Sequence, residues 1–338
     1  MARRVLVAGG TGFIGGAVAR ALRGRGDDVV VLGRGSRPAP AGCELRLADR
    51  TDRTAMARAL EGQSFDVTLD FSAYDREAIE GMLQVQDFEP GRIIVASTGQ
   101  VCLVGTSLRM PYTEPDGSTP LRPEPVPGTR DHRNWTYGTG KRGVEAAIAE
   151  ARLNRGSDAL IVRLPVILGA GDTSLRTWGY LERILDGGPL LLPGSGDQPV
   201  RFLWVEDVVS AVIRILDRWP LPSPVYHLAQ PDIISLRHAI EQFASCAGRA
   251  LDWVAVDEPA LAGASLDGNV APYSGRWVSV LDPRLAAREW GFEATPFDHY
   301  VGEVVRAHVD HPPAASDMGY ESRAREIALA QALKSAPP

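Results

Sequence analysis

The sequence predicts an α/β fold built on a doubly wound parallel sheet. Three observations carry this. Short apolar runs of strand length alternate with helical segments from the first residues onward. A cluster of glycines sits between the first run and the first helix. The composition, 44% hydrophobic and 23% charged over 338 residues, suits one large globular domain or two coupled ones.

In chain order, residues 5–8 read as a buried strand, 9–15 as a turn and 17–22 as a helix. The turn has the spacing Gly9-x-x-Gly12-x-x-Gly15. In a strand–turn–helix context that spacing is a dinucleotide fingerprint. Gly9 permits the tight turn, Gly12 lets the backbone approach a pyrophosphate, and Gly15 lets the helix pack close. The free N–H groups and dipole of the helix start favour the phosphates. A second strand at 28–32 ends in Gly33-Arg34-Gly35-Ser36-Arg37. A third at 44–47 runs into Ala48-Asp49-Arg50, followed by a helix at 54–60. A fourth strand at 65–71 precedes a helix at 76–85. A fifth at 92–96 ends in Ser97-Thr98-Gly99, so Thr98 lies just past its carboxyl end.

Residues 109–133 break the alternation. They hold Pro111, Pro115, Pro120, Pro123, Pro125 and Pro127 and read as a long loop, of the kind that is functional or mobile. A helix is expected from Asn134 to about 153 and a strand at 158–164. Helices follow at 175–185, 205–218 and 236–247, with a strand at 225–229. The last third is less regular. A helix is expected at 296–308 and an alanine-rich, packed one at 321–333.

Composition narrows the class. No apolar run approaches the ~20 residues that span a bilayer. The first strand starts almost at Met1, which leaves no room for a signal peptide. Cys43, Cys102 and Cys246 are too far apart for a disulfide framework or a zinc site, so a reducing cytoplasm is expected. The six histidines form no ligand cluster and no metal is expected; His308 and His311 flank a helix end and read as solvated. A net charge of −6 argues against a nucleic-acid surface.

The chemistry gathers at Tyr137-Gly-Thr-Gly-Lys141. Positions i and i+4 share a helix face. An ammonium near a phenol stabilises the phenolate, and the tyrosine can then exchange a proton with a substrate hydroxyl or carbonyl. Only Lys141 and Lys334 among the 36 basic residues are lysine. A site that needs a compact charge with rotatable donors has reason to keep one. Thr98, at the ligand edge of a parallel sheet, can hydrogen-bond the reacting oxygen, with Ser97 the competing choice.

On these residues the chain resembles an extended short-chain dehydrogenase/reductase of the NAD-dependent epimerase/dehydratase family. The resemblance is carried by Gly9-Gly-Thr-Gly-Phe-Ile-Gly15, Asp49, Ala96-Ser-Thr-Gly-Gln-Val101, Tyr137-x-x-x-Lys141, Arg163-Leu-Pro165 with Gly169-x-Gly171, and Phe202-Leu-Trp-Val-Glu-Asp207. Asp282-Pro-Arg284 and Trp290-Gly-Phe292 resemble its late segment. It implies a Rossmann-like domain of residues 1–165 plus about 203–229, and a smaller C-terminal α/β substrate domain of 166–202 plus about 230–338. It implies that Gly9, Thr11, Gly12, Phe13, Ile14 and Gly15 hold the pyrophosphate, that Asp49 and Arg50 sit by the adenine, and that Asp70-Phe-Ser72-Ala passes under the cofactor. Pro165 joins the cofactor set. Tyr137 is implied as the acid/base, Lys141 as its partner and a ribose ligand, and Thr98 as the catalytic hydroxyl.

Four departures qualify it. Arg34, with Arg37, stands where NAD-using members place an acid, and an arginine suits a 2′-phosphate. The expected cofactor is therefore NADP, with NAD the alternative. Gly99-Gln100 replace the Asp-Glu of the sugar-nucleotide dehydratases, so the elimination acids are missing. Arg201 is displaced by one from the arginine that meets a nucleotide-sugar diphosphate, which on a strand turns it to the other face. The 39 positions from Thr98 to Tyr137 hold an insertion that resembles one in a subgroup including chloroplast stem-loop RNA-binding proteins. The resulting expectation is an NADP(H)-dependent oxidoreductase interconverting a secondary alcohol and a ketone on a polar, sugar-like metabolite. The alternatives are an epimerase using the same site and a non-catalytic RNA-binding relative. A small-molecule partner is expected, with no nucleic acid or membrane, and a homodimer is the candidate assembly.

Overall fold

A computed structural model describes residues 2–107, 109–266, 270–316 and 319–335, with Arg155 by its backbone alone. The parts of the expected substrate domain at 267–269, 317–318 and 336–338 lie outside the described residues. The chain begins with β1 (Arg4–Ala8), α1 (Phe13–Gly24), β2 (Asp28–Gly33), β3 (Glu44–Leu47), α2 (Arg53–Leu60), β4 (Val67–Asp70), α3 (Arg76–Leu83), β5 (Arg92–Thr98), α4 (Gln100–Leu103), α5 (Arg130–Arg155) and β6 (Ala159–Leu164). It continues through β7 (Val166–Leu168), α6 (Arg176–Leu185), β8 (Leu190–Pro193), β9 (Pro199–Val200), β10 (Phe202–Trp204), α7 (Val205–Arg218) and β11 (Val225–His227). It ends with β12 (Ile234–Ser235), α8 (Leu236–Cys246), β13 (Trp253–Val256), α9 (Glu258–Gly263), α10 (Arg284–Trp290), α11 (Phe297–Asp310) and α12 (Arg323–Ser335). No helix among the described residues is long and apolar enough to cross a membrane.

Two compact units emerge. The first comprises residues 1–165, 205–229 and 281–294. Its sheet has the order β11-β6-β5-β4-β1-β2-β3, and every pairing is parallel. This is the doubly wound, Rossmann-like arrangement. Strands buried on both faces need apolar residues on both, which is why β1 and β2 read as unbroken runs rather than alternations. One face packs Leu6, Val30, Met56, Leu60, Phe65 and Met82, and another cluster packs Ile79, Ile93, Val95, Val144, Ile148 and Ile161. The strand order reverses between β1 and β4, where Ala8 pairs with Asp70 on one side and Leu32 on the other. Their carboxyl ends therefore open the crevice in which such sheets take ligands.

The second unit comprises residues 166–204, 230–280 and 295–338. It holds three two-stranded pairings, β7 with β10, β8 with β13 and β9 with β12. An aromatic core of Tyr180, Phe202, Phe243, Phe297 and Tyr300 fills it. The alanine-rich terminal helix α12 packs as expected. Glu326 on it accepts two hydrogen bonds from the buried Arg183 guanidinium, at 2.9 and 2.7 Å.

Several boundaries differ from expectation. β5 runs on to Thr98, so that residue closes the strand instead of following it. α5 starts four residues before Asn134, because the Thr129 hydroxyl caps it by accepting from the His132 N–H at 3.1 Å. The proline-rich segment is not a bare loop. It contains a 3-10 turn, Glu114–Ser118, closed where Asp116 accepts from the Thr113 N–H and hydroxyl at 2.7 and 2.8 Å. The strands of the second unit span two to four residues and carry no readable period. His308 is 5% exposed, with Nδ1 2.8 Å from the Val304 carbonyl, so it is part of the core rather than solvated.

Candidate active site

The glycine turn has the geometry its sequence requires. Gly9 sits at φ +79°, in the left-handed region that favours glycine. A Cβ on Gly15 would lie 2.4 Å from the Gly9 carbonyl oxygen, so only glycine lets α1 seat directly on the turn. Gly12 precedes the helix in an extended conformation, and no side chain caps the N–H groups that follow. The bare helix start fits a pyrophosphate. Thr11 lies beside Gly33 at the end of β2, and Phe13 and Ile14 open the helix, half-buried.

Below this turn lies a charged pair. Asp70, fully buried at the end of β4, accepts from Arg50 at 3.1 and 2.7 Å and from the Ser72 and Ala73 N–H groups at 2.8 and 2.9 Å. Burial alone would raise the Asp70 carboxyl; the Arg50 charge and these hydrogen bonds outweigh it and hold the group below the usual carboxylate range. Arg50 also donates to the Ser72 hydroxyl at 3.0 Å, and a Cβ on Gly9 would lie 2.9 Å from Ser72 Cβ. The Arg50 guanidinium thus ties the β3–α2 and β4–α3 connections together. Asp49 is exposed and accepts from the Thr51 N–H and hydroxyl, which with the nearby Arg34 charge lowers its carboxyl. Arg34 and Arg37 are exposed beyond β2. Pro165 is buried just past β6.

Tyr137 and Lys141 occupy successive turns of α5. Lys141 is 4% exposed, and its ammonium donates to the Ala96 carbonyl at 2.8 Å. Burial pushes it down to about 8, against the pull of Asp70. Three glycines inside the helix, Gly138, Gly140 and Gly143, cost about 1 kcal/mol each relative to alanine. Their use is close approach. A Cβ on Gly138 would lie 2.5 Å from Val104 Cγ1 and 2.9 Å from the Gln100 carbonyl, and one on Gly140 would lie 2.5 Å from the Tyr74 carbonyl. The helix therefore packs directly against α4 and the β4–α3 connection.

The two candidate hydroxyls separate cleanly. Ser97 is buried and donates to Glu145 at 2.5 Å. Thr98, half-buried, accepts from the Gln100 N–H at 3.3 Å. Glu145 in turn accepts two hydrogen bonds from Arg163, at 2.8 and 2.7 Å. Arg163 also donates to the Glu114 carbonyl at 2.6 Å and lies 3.2 Å from His227 Nε2. His227 Nδ1 faces the Tyr112 carbonyl at 3.1 Å, so it carries the hydrogen and Nε2 accepts. Burial, then the Arg163 charge, pushes His227 down to about 3. This network pins residues 112–117 to the ends of β6 and β11.

Sequence reasoning missed Glu145, His227 and the exposed Tyr74, and it singled out Arg163 only within the Arg163-Leu-Pro165 motif, with no role. Glu145 had a local signal, one helical turn beyond Lys141; His227 had none. In the second unit Arg201 is 7% exposed, and its Nε donates to the Gln230 carbonyl at 2.7 Å. Gln100 opens α4 and its amide donates to Asn134 at 3.3 Å.

Comparison with known proteins places this geometry. Residues 5–226 match the NAD dependent epimerase/dehydratase family. The chain belongs to that family. It is similar to a 2'-dehydrokanamycin reductase of Streptomyces kanamyceticus, 28% identical over 292 residues, 84% of this chain and 78% of the relative. A 3-diazoavenalumate denitrifying reductase of a Streptomyces species is 30% identical over 229 residues, 63% of this chain and 72% of that protein. Among solved structures, the UDP-glucose 4-epimerase of Thermotoga maritima superposes with a TM-score of 0.71 at 16% identity, over 91% of this chain and 99% of that one. This last likeness is one of fold.

Proposed function

We propose that this family member is an NADP(H)-dependent reductase that interconverts a secondary alcohol and a ketone on a polar, sugar-like metabolite. The observation that carries the reading is the buried Lys141 ammonium, held on the Ala96 carbonyl one helical turn from Tyr137. A lysine is buried at such cost only where its charge is used.

The first unit reads as the dinucleotide-binding domain and the second as the substrate domain. Gly9, Thr11, Gly12, Phe13, Ile14 and Gly15 would hold the pyrophosphate, Lys141 and Tyr137 the ribose end, with Ser72 and Pro165 beside them. A bound nicotinamide supplies or takes the hydride. The Tyr137 hydroxyl donates its proton to the carbonyl oxygen during reduction and recovers it during oxidation. Lys141 stabilises the phenolate left behind, and Thr98 hydrogen-bonds the same oxygen. Arg34, exposed at the end of β2, would meet a 2′-phosphate, aided by Arg37. Gly99 and Gln100 offer neither acid nor base for a 4,6-elimination. The names of both Streptomyces relatives support net reduction over epimerisation.

One set of measurements tests this. NADPH and NADH affinities are compared in wild type and Arg34→Asp, and turnover of a keto-sugar panel in wild type and Tyr137→Phe. A charge-assisted 2′-phosphate contact is worth about 1.5–3 kcal/mol, or about 10–100-fold for NADPH, and the aspartate should invert it. Tyr137→Phe should fold and bind cofactor but lose about 10²–10⁴-fold in turnover. Equal affinities in wild type would remove the NADP assignment. Stoichiometric NAD⁺ extracted from purified protein would favour the epimerase.

A further inference from the structure

Tyr74 is a large aromatic left 60% exposed beside buried machinery. Scattered exposed apolar side chains are ordinary. This one differs in what surrounds it and in how firmly its backbone is held. Asp70 accepts from the Ser72 and Ala73 N–H groups on one side, and Asp75 caps α3 through the Ala78 N–H at 2.9 Å on the other. Gly140 admits the Tyr74 carbonyl, and a Cβ on Gly143 would stand 3.3 Å from the Arg76 nitrogen. The backbone is thus clamped to α5 while the ring stays open to solvent. That ring lies 6.0 Å from the Tyr137 ring, tilted 53°, and the Lys141 ammonium is 5.4 Å from its centroid. The exposed aromatic surface therefore adjoins both members of the proposed proton-transfer pair.

We propose that Tyr74 is a specificity-determining residue: its ring is the platform on which the substrate ring stacks, so the site selects a cyclic secondary alcohol or ketone, with an apolar C–H or π face, over an open-chain one. This rests on Tyr137 and Lys141 being the reacting pair and adds the class of substrate they act on. Covering an aromatic face removes apolar area from water, and ring contacts add specific attraction. A platform beside Tyr137 also fixes the angle at which the reacting oxygen meets the phenol.

The test compares wild type, Tyr74→Ala, Tyr74→Phe and Tyr74→Trp on a ring ketone, 2-keto-myo-inositol, and an open-chain ketone, erythrulose, with NADPH and NADH. Wild type should prefer the ring ketone. Tyr74→Ala should reduce that preference about 5–10-fold, through KM for the ring ketone. Tyr74→Phe and Tyr74→Trp should keep it, because the ring and not the hydroxyl carries the contact. Cofactor affinity, melting temperature and the pH profile should not move. An unchanged ring-to-chain ratio in Tyr74→Ala overturns the proposal while leaving the reductase intact, as does a wild type indifferent to the two ketones. A loss of cofactor affinity would mean that Tyr74 covers the cofactor. A shifted pH profile at constant KM would mean that it tunes Lys141. A wild type that binds NADPH and reduces neither ketone defeats the reductase reading, and this inference with it.

Discussion

At the scale of single residues, two adjacent hydroxyls are held in different ways, and the proposed mechanism gives them different work. Ser97 is bound to a carboxylate that already serves an arginine, and both are removed from water. Thr98 presents its hydroxyl at the sheet edge with only the Gln100 N–H upon it among the described hydrogen bonds. Thr98→Ala should therefore lower turnover about 10-fold or more, with denaturation midpoint and cofactor affinity unchanged. Ser97→Ala should behave in the opposite way. It leaves one Glu145 oxygen short of a donor and should cost about 1–3 kcal/mol in stability, with kcat close to wild type. Urea denaturation and steady-state kinetics on the two variants decide it. If Ser97→Ala takes the larger loss of rate, the hydroxyls have been assigned the wrong way round.

At the scale of elements, the insertion between Thr98 and Tyr137 is held by hydrogen bonds between charged or polar side chains and backbone groups. Glu114 and Tyr112 reach Arg163 and His227, and Arg142 on α5 donates to the Val101 and Thr119 carbonyls. None of this was legible in the sequence. Prolines at 111, 115, 120, 123, 125 and 127 announce the absence of regular structure, but a pairing across 49 or 113 positions leaves no local trace. The central strands and the glycine turn were legible because they obey local rules of period and φ. The start of α5 differs, because the Thr129 cap sets it four residues before the Asn134 that the sequence reading takes as its beginning. The network predicts that Glu145→Ala unfolds the protein more easily by about 3–5 kcal/mol, because the Arg163 charge stays buried without its partner. Limited proteolysis should then cut within 109–129 before the rest of the chain, and Glu145→Ala with Arg163→Met should recover part of the loss. A midpoint equal to wild type would show that the anchor lies elsewhere.

At the scale of the whole molecule, two buried bases make stability and activity respond to pH in different windows. His227 is held neutral, at about 3 against the ordinary value near 6.5. Between those values the unfolded chain binds the proton and the folded one does not, so stability rises with pH in that window and is lost as pH falls through it. The expected loss from pH 7 to 5 is about 2 kcal/mol. Glu114, raised by burial, opposes this trend by binding a proton in the folded state. His227→Gln should flatten the slope. Lys141 sits at the other end, at about 8 against an ordinary value near 10.4. Again the folded state binds fewer protons, so between about 8 and 10.4 stability gains from rising pH. Under the proposed mechanism activity should do the reverse, because an ammonium that stabilises the Tyr137 phenolate would be lost through the same range. Melting temperature and reduction rate, measured together from pH 5 to 10, should thus diverge above about 8, with the rate falling while the Lys141 contribution to stability grows. A rate that stays flat to pH 10 would show that the Lys141 charge plays no part in turnover, and would leave the lysine as a helix-to-strand tether.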